Sequence, residues 1–480
     1  MTRFLDPLDS AFVLLETAGT AMNIGAVIEL DTGDTQDPQT RYESIRQNIS
    51  DRLHEIPVLT QRVVRAPFDL TWPVLVPDEQ FSLDSHVVRL ALPSPGSADQ
   101  FDAAVAEFLS RPLSPRRPLW QLLVIEGLDN DTTAVVFKIH HGLADGVSGA
   151  ATFANLFDIS SAVRSPAPAS APGPSAADDS NVSSPWGLVR DRLELMGRRP
   201  RLVLENLGSW VVRCGAVLRM LVRVMARGGL QHTTSSQPSI FEARRTSLNG
   251  APGVEKAFHR LRVPLADVKR VARSHDASVT DFVITVAGGA LRRLLEDRGE
   301  FVSKDLIACV PINVRAEGAT SDLGNQFSAM LVSLRTGILD PAQRLAAIAR
   351  DSTATVGVQR TSAAQLLQDI PRVLGPMVLS LGAKLMSSLD LFDRLPPVAN
   401  LMLSSVPGPP IPLWLSGRRV VSAAPVGPLL ASLSLNITAL GIGDSLEFGL
   451  LGCVERMPDL ATLRDYVHDE ATKLLASSAQ

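Results

Sequence analysis

Residues 132–146 read TTAVVFKIHHGLADG, and the fold turns on this stretch. Thr132 to His140 are dominated by β-branched and aromatic types, which favours a pleated strand. Side chains on a strand alternate between faces, so His140 shares a face with Val136 and Lys138, whereas His141 follows Phe137 and Ile139 on the other. The two adjacent histidines therefore meet different surroundings and cannot do the same work. Glycines 142 and 146 then turn the chain into GVSGAATFANLF (146–157), whose spacing is helical. A strand that ends in histidine at such a turn offers a ring nitrogen to substrate, and a solvent-facing neutral imidazole at that place suits a general base.

Working outward, LWQLLVIEGL (119–128) is a second β-type run, joined to the first through the turn-like DND. Further upstream, 41–53 and 99–110 have helical spacing, while QRVVRA (61–66) and DSHVVRLAL (84–92) read as strands. Downstream, residues 160–185 hold eight Ser, six Ala and five Pro among 26 positions, a linker composition that cannot bury a core. The chain thus divides into an N-terminal α/β domain (1–159), a Ser/Pro/Ala linker (160–185), a basic helical connector (186–232) and a second α/β domain (233–480). In the second domain FHRLRVPLADVKRVARSH (258–275) gives a strand and a helix. ASVTDFVITVAGGALRRLLEDRG (277–299) gives a helix whose N-cap is placed at Thr280 or Asp281. LIACVPINVR (306–315) is an apolar strand ending in Arg315. LSLNITALGIGDSLEFGLLGC (433–453) is a hairpin with a Gly-Asp turn, and a last helix begins near 458.

A chain of 480 residues is too long for one core, and 45% apolar against 20% charged residues exclude a disordered or fibrous protein. The net charge of −4 leaves no global basic footprint for nucleic acid. Cys214, Cys309 and Cys453 lack metal spacing and suggest a reducing compartment, and Asp6 and Asp9 interrupt any secretory signal. The uncharged stretches 395–417 and 420–443 are broken by prolines, so neither is expected to span a membrane. Besides the adjacent pair, the six other histidines lie singly and far apart, so no metal and no cofactor is expected. On its own, Asp145 reads as an N-cap for the helix from Gly146. Four fixed residues of the form HHxxxDG, however, arise by chance in roughly 0.003 of chains this long, which makes the whole motif specific.

LDPLDSAFVLLE, FSLDSHVVRLALPSPG, RRPLW (116–120), HHGLADG, SLNG (247–250), VPINVR, LGNQFS and SVPGP, in that order along the chain, resemble the bacterial wax ester synthase/diacylglycerol acyltransferase family of the HHxxxDG superfamily. The chain departs from that pattern at Thr280-Asp281, where the family carries Asn-Asp, and at Met22-Asn23-Ile24-Gly25, where it carries Met-His-x-Gly. The resemblance implies two chloramphenicol-acetyltransferase-like α/β domains with mixed sheets and an active-site tunnel at their interface. It implies direct transfer from acyl-CoA, a substrate and not a cofactor, to diacylglycerol or a long-chain alcohol. His141 would be the base, His140 would orient it, and Asp145 ahead of Gly146 would form a structural pair with Arg315. Asp281 and Asn325 are weaker candidates for tunnel contacts. An exposed strand-end charge remains the plain reading of Arg315.

Within this superfamily the sequence leaves open another lipid alcohol as acceptor, or a weakly catalytic relative that coats lipid surfaces. Residues 186–227 carry nine Arg against three acids, and from Arg201 to Arg227 the charges form one stripe beside a broad apolar surface. Burial between the domains would account for that surface. So would peripheral attachment to the inner membrane face or lipid droplets from the cytoplasm.

Overall fold

The computed structural model describes residues 3–17, 19–32, 37–143, 155–162, 185–188, 190, 215, 238, 242–300, 304–313, 327–356 and 374–477. Its strands are β1 (Arg3–Phe4), β2 (Asn23–Asp31), β3 (Gln61–Val64), β4 (Val74–Pro77), β5 (Val87–Ala91), β6 (Trp120–Glu126), β7 (Thr132–His140), β8 (Lys256–Pro264), β9 (Ile307–Asn313), β10 (Phe327–Ser333), β11 (Leu401–Pro407), β12 (Trp414–Leu415), β13 (Arg418–Val426), β14 (Leu435–Ile442) and β15 (Ser445–Cys453). The helices used below are α1 (Pro7–Leu15), α2 (Pro38–Arg52), α3 (Ala98–Ser110), α4 (Leu265–Ser274), α5 (Val279–Asp297), α6 (Pro341–Val356), α7 (Pro376–Ser388) and α8 (Leu460–Ser477).

Strand β7 lies inside a six-stranded mixed sheet in the order β12-β13-β2-β7-β6-β5. Its hairpin with β6 places Trp120 opposite Ile139, as the two β-type runs predict. Both faces are covered: Ile139, Phe137 and Val135 pack with Ile45 and Ile49 of α2, while Val136 and Ala134 pack with Phe101 and Val105 of α3. The near-continuous apolar run follows from that two-sided burial. The other partner of β7 is β2, paired antiparallel from Asn23 opposite His140 to Asp31 opposite Thr132.

The division at the linker does not separate the sheets cleanly. Strand β13, which the sequence places in the second domain, runs antiparallel to β2 with Val426 opposite Gly25, and β12 extends the same sheet. The second half thus lends a strand to the first, and Ala424 and Val426 of β13 are buried there with Val27 and Val136. Residues 155–158 form a turn and a bridge to Trp414, whereas the spacing of 146–157 predicts helix through 157.

The second sheet, in the order β10-β9-β11-β14-β15-β8, is also mixed, with β11 parallel to β9 and β14. Helix α5 is buried on it through Phe282, Val286, Leu291 and Leu294, alongside Val467 and Ala471 of α8. The N-cap of α5 is Ser278, not Thr280 or Asp281: Ser278 Oγ accepts the Asp281 N–H at 3.1 Å, and Asp281 Oδ2 accepts the Ser278 N–H at 2.8 Å. This reciprocal box places the acid three residues inside the helix. The Gly443-Asp444 turn joins β14 to β15, with Gly443 at φ 56°, a left-handed conformation suited to glycine. A third, small sheet has the order β1-β4-β3.

The halves meet where β8 packs on α3. Arg260 forms an ion pair with Glu29 and lies 4.6 Å from the Phe101 ring centre, and His259 Nδ1 stands 2.7 Å from Asp102 Oδ2. The stretch 395–417 holds β11 and β12 between turns and bends, most of 420–443 is strand, and no helix among the described residues is long and apolar enough to cross a membrane.

Candidate active site

Strand β7 ends at His140, and His141 opens a single 3₁₀ turn to Leu143, its backbone N–H donating to Met22 O at 2.6 Å. Alternation separates the two rings as the strand pattern requires. His140 is fully buried, and its Nδ1 accepts the Gly142 N–H at 3.0 Å, which puts the hydrogen of the neutral ring on Nε2, 3.6 Å from Glu16 Oε2. The tautomer of the neutral ring is thus fixed by its own turn. His141 is only 9% exposed, so the expectation of a solvent-facing imidazole needs correction. Its ring stacks on Phe12, with centroids 4.1 Å apart and planes inclined by 29°.

Phe12 belongs to α1, whose first turn is firmly capped: Asp6 accepts the Leu8 N–H at 2.9 Å as N-cap, and Pro7 occupies the first turn. The helix buries Leu8, Ala11, Val13 and Leu14, which turns Phe12 toward the histidine turn. The approach is close. A Cβ on Gly142 would stand 2.7 Å from the Asp9 carbonyl oxygen, so glycine is required there by contact with α1.

On the face shared with His140, the Lys138 amine donates to Phe108 O at 2.6 Å and Arg111 O at 2.7 Å, at the carboxyl end of α3, and lies 4.2 Å from the Phe108 ring centre. It ties β7 to α3 through carbonyls at the helix end that α3 leaves unpaired. Burial, with the nearby Arg111 charge adding, lowers Lys138 from 10.5 to about 7. The sign follows from proton counting: between about pH 7 and 10.5 the unfolded chain holds a proton that the folded chain has released. Stability therefore rises with pH through that window, by up to about 1.4 kcal/mol per unit from this group, and is flat below it. Urea titrations at pH 7 and 9 are expected to show this rise in wild type and a smaller one in Lys138→Met. Equal slopes would mean that Lys138 titrates normally.

Asp145, Gly146, Arg315 and Asn325 lie outside the described residues. Asp281 is described and buried, but its carboxylate is engaged within the second half, Oδ2 by Ser278 and Oδ1 by Ser352 Oγ at 2.5 Å. It thereby caps helix α5 and ties it to α6. At the departure from Met-His-x-Gly, Asn23 sits opposite His140 in register. Its buried amide has no hydrogen-bond partner among the described residues. Among the described residues no group of three or more His, Cys, Asp or Glu side chains is arranged to hold a metal ion.

The wax ester synthase/diacylglycerol acyltransferase catalytic domain matches residues 5–283, and the C-terminal domain of the same family matches residues 323–474. A putative diacylglycerol O-acyltransferase of Mycobacterium tuberculosis is 30% identical over 475 residues, covering 99% of this chain and 90% of the relative. The O-acyltransferase WSD of Acinetobacter baylyi is 27% identical, covering 98% and 96%. Among solved structures, the wax ester synthase/diacylglycerol acyltransferase from Marinobacter aquaeolei superposes with a TM-score of 0.67 at 22% identity, covering 99% of this chain and all of that one.

Proposed function

The chain belongs to the wax ester synthase/diacylglycerol acyltransferase family, and on that premise we propose that it moves an acyl group from acyl-CoA to the hydroxyl of diacylglycerol, and of a long-chain alcohol as a second acceptor. It is an O-acyltransferase. The observation that carries the mechanism is the division of labour at the end of β7, where His140 is bound into its own turn and His141 is held beside it by stacking on Phe12.

A thioester is already activated, and what the reaction lacks is a deprotonated alcohol. The His141 imidazole takes the hydroxyl proton as the alcohol oxygen bonds to the thioester carbonyl carbon. The carbon–sulfur bond of the resulting tetrahedral adduct then breaks, and the imidazolium returns the proton to the departing CoA thiolate. No acyl-enzyme and no cofactor enter the proposal. Asp145 and Arg315 are proposed as a pair that fixes the turn after the histidines, a role in which a buried ion pair sets geometry more surely than it adds stability. Purified protein given palmitoyl-CoA with diolein or hexadecanol is expected to release CoA and form triacylglycerol or wax ester. Lack of turnover with both acceptors would favour another lipid alcohol or a catalytically weak relative.

We further propose peripheral binding at an anionic lipid interface through residues 201–227, which lie outside the described residues apart from Gly215. Residues 186–227 carry a net +6 from nine Arg minus three acids. Arginine attraction and apolar insertion would add at such a surface. Sedimentation with anionic liposomes is expected to weaken with salt and with Arg219→Glu combined with Arg223→Glu. Binding unchanged by both would leave the segment a purely internal element.

A further inference from the structure

Helix α7 is not packed as a core helix. Leu379 and Ser380 are buried, while Met377, Leu381 and Leu385 are exposed, Leu381 at 65%. At 100° per residue these three fall within an arc of about 80°, so they form one ridge. The only charge on α7 is Lys384, also exposed, and there is no acid. The helix packs on the short turn Pro67–Asp69, where a second apolar group projects: Phe68 is 79% exposed and Leu70 is exposed beside it.

Phe68 is held at φ 55° and ψ 17°, and Asp69 follows at φ 53°, two successive left-handed residues of which neither is glycine. A bulky aromatic in that region is strained, and persists only where its surroundings enforce it. Here they do. Arg65 holds Asp69 with two bonds of 2.9 and 2.8 Å, and Ser380 of α7 bonds to the same carboxylate. Burial opposes the Asp69 charge, but the bonds from Arg65 and Ser380, with the Arg65 and Lys384 charges, keep this carboxyl below its ordinary value. The chain therefore maintains a strained turn that thrusts an aromatic ring outward next to an apolar ridge.

Packed elements link this surface to the site. Helix α7 packs on α1, α1 packs on the 3₁₀ turn of His141, and Phe12 of α1 stacks on the His141 ring. We propose that Phe68, Leu70 and the Met377–Leu381–Leu385 ridge insert into the surface of a lipid bilayer that carries the acyl acceptor, and so dock the chain one helix away from the base. The inference rests on the acyltransferase reading, because it is an insoluble acceptor that gives the patch its partner. A single cation and no acid on the helix suit a phospholipid surface, and side chains of this size give up water readily there. This contact is apolar and insensitive to salt, which separates it from the arginine stripe of 201–227.

The test uses the full chain and phosphatidylcholine vesicles containing diolein, at high salt. Leu381→Asp with Leu385→Asp is expected to lower vesicle partitioning at least about tenfold and to lower turnover of vesicle diolein with it, while turnover of a short soluble alcohol with a short-chain acyl-CoA stays unchanged. Phe68→Gly guards against misfolding: glycine accepts the left-handed turn without strain, so this variant should melt no lower than wild type and yet bind vesicles more weakly. Unchanged partitioning in both variants overturns the proposal. So does loss of a dimer in sedimentation velocity with partitioning intact, which would make the patch a contact between two copies. If wild type binds vesicles but turns over neither acceptor, the acyltransferase reading fails and the surface stands.

Discussion

Replacing His141 with alanine is expected to lower CoA release by about 10²- to 10⁴-fold with either acceptor, the range typical for loss of a general base. The structure changes what else the substitution does. His141 is buried and stacked on Phe12, so truncation also removes an aromatic contact worth about 0.5–1.5 kcal/mol of stability. A modest fall in melting temperature should therefore accompany a large fall in rate. Phe12→Leu separates the two effects: it loosens the ring but keeps the base, and should cost far less rate than His141→Ala while destabilising comparably. His140→Ala should act mainly through the fold, since the His140 ring is buried and its Nδ1 accepts the Gly142 N–H. CoA release by His141→Ala at the wild-type rate would remove His141 from the mechanism.

Much of this arrangement was legible because it depends on local pattern. The β-branched run to His140, the helical spacing of 41–53 and 99–110 and the hairpin through Gly443-Asp444 all formed close to where their periodicity placed them. The separation of His140 from His141 followed from alternation alone. What escaped depends on long-range pairing. Strand β2, NIGAVIELD, carries a glycine, two acids and an asparagine and draws no attention by itself, yet it lies between β7 and β13. Nothing local tells Arg418–Val426 to leave the second half and pair with it. Phe12 escaped for the same reason: its role is set by where α1 lands, although the Asp6-Pro7 start of that helix could have been read. The cap of α5 was misplaced because Ser278, Thr280 and Asp281 are all capable caps, and only the reciprocal bonds between Ser278 and Asp281 decide among them.

The same long-range logic makes Arg52→Ala the most destabilising change expected near the site. Arg52, the last residue of α2, donates to both Asp158 oxygens at 2.8 and 2.6 Å and to Leu156 O, and both side chains are about 95% buried at exposures of 5% and 6%. Asp158 in turn exchanges two backbone bonds of 2.8 Å with Trp414. One guanidinium therefore gathers α2, the chain emerging from the HHxxxDG segment, and the strand lent by the second half. Alanine at 52 removes the guanidinium that pairs with the buried Asp158 carboxylate, at a cost of about 3–5 kcal/mol, whereas replacing both partners by apolar side chains is often neutral. Urea midpoints for Arg52→Met, Asp158→Leu and the double variant should therefore be strongly non-additive, with the double close to wild type. That outcome carries a functional corollary. If the clamp sets the path of the chain after Gly146, Arg52→Met should lose turnover beyond its loss of folded protein, and the double variant should regain stability without regaining the rate. Full recovery of turnover in the double variant would mean that the clamp stabilises the fold and leaves the histidine turn alone.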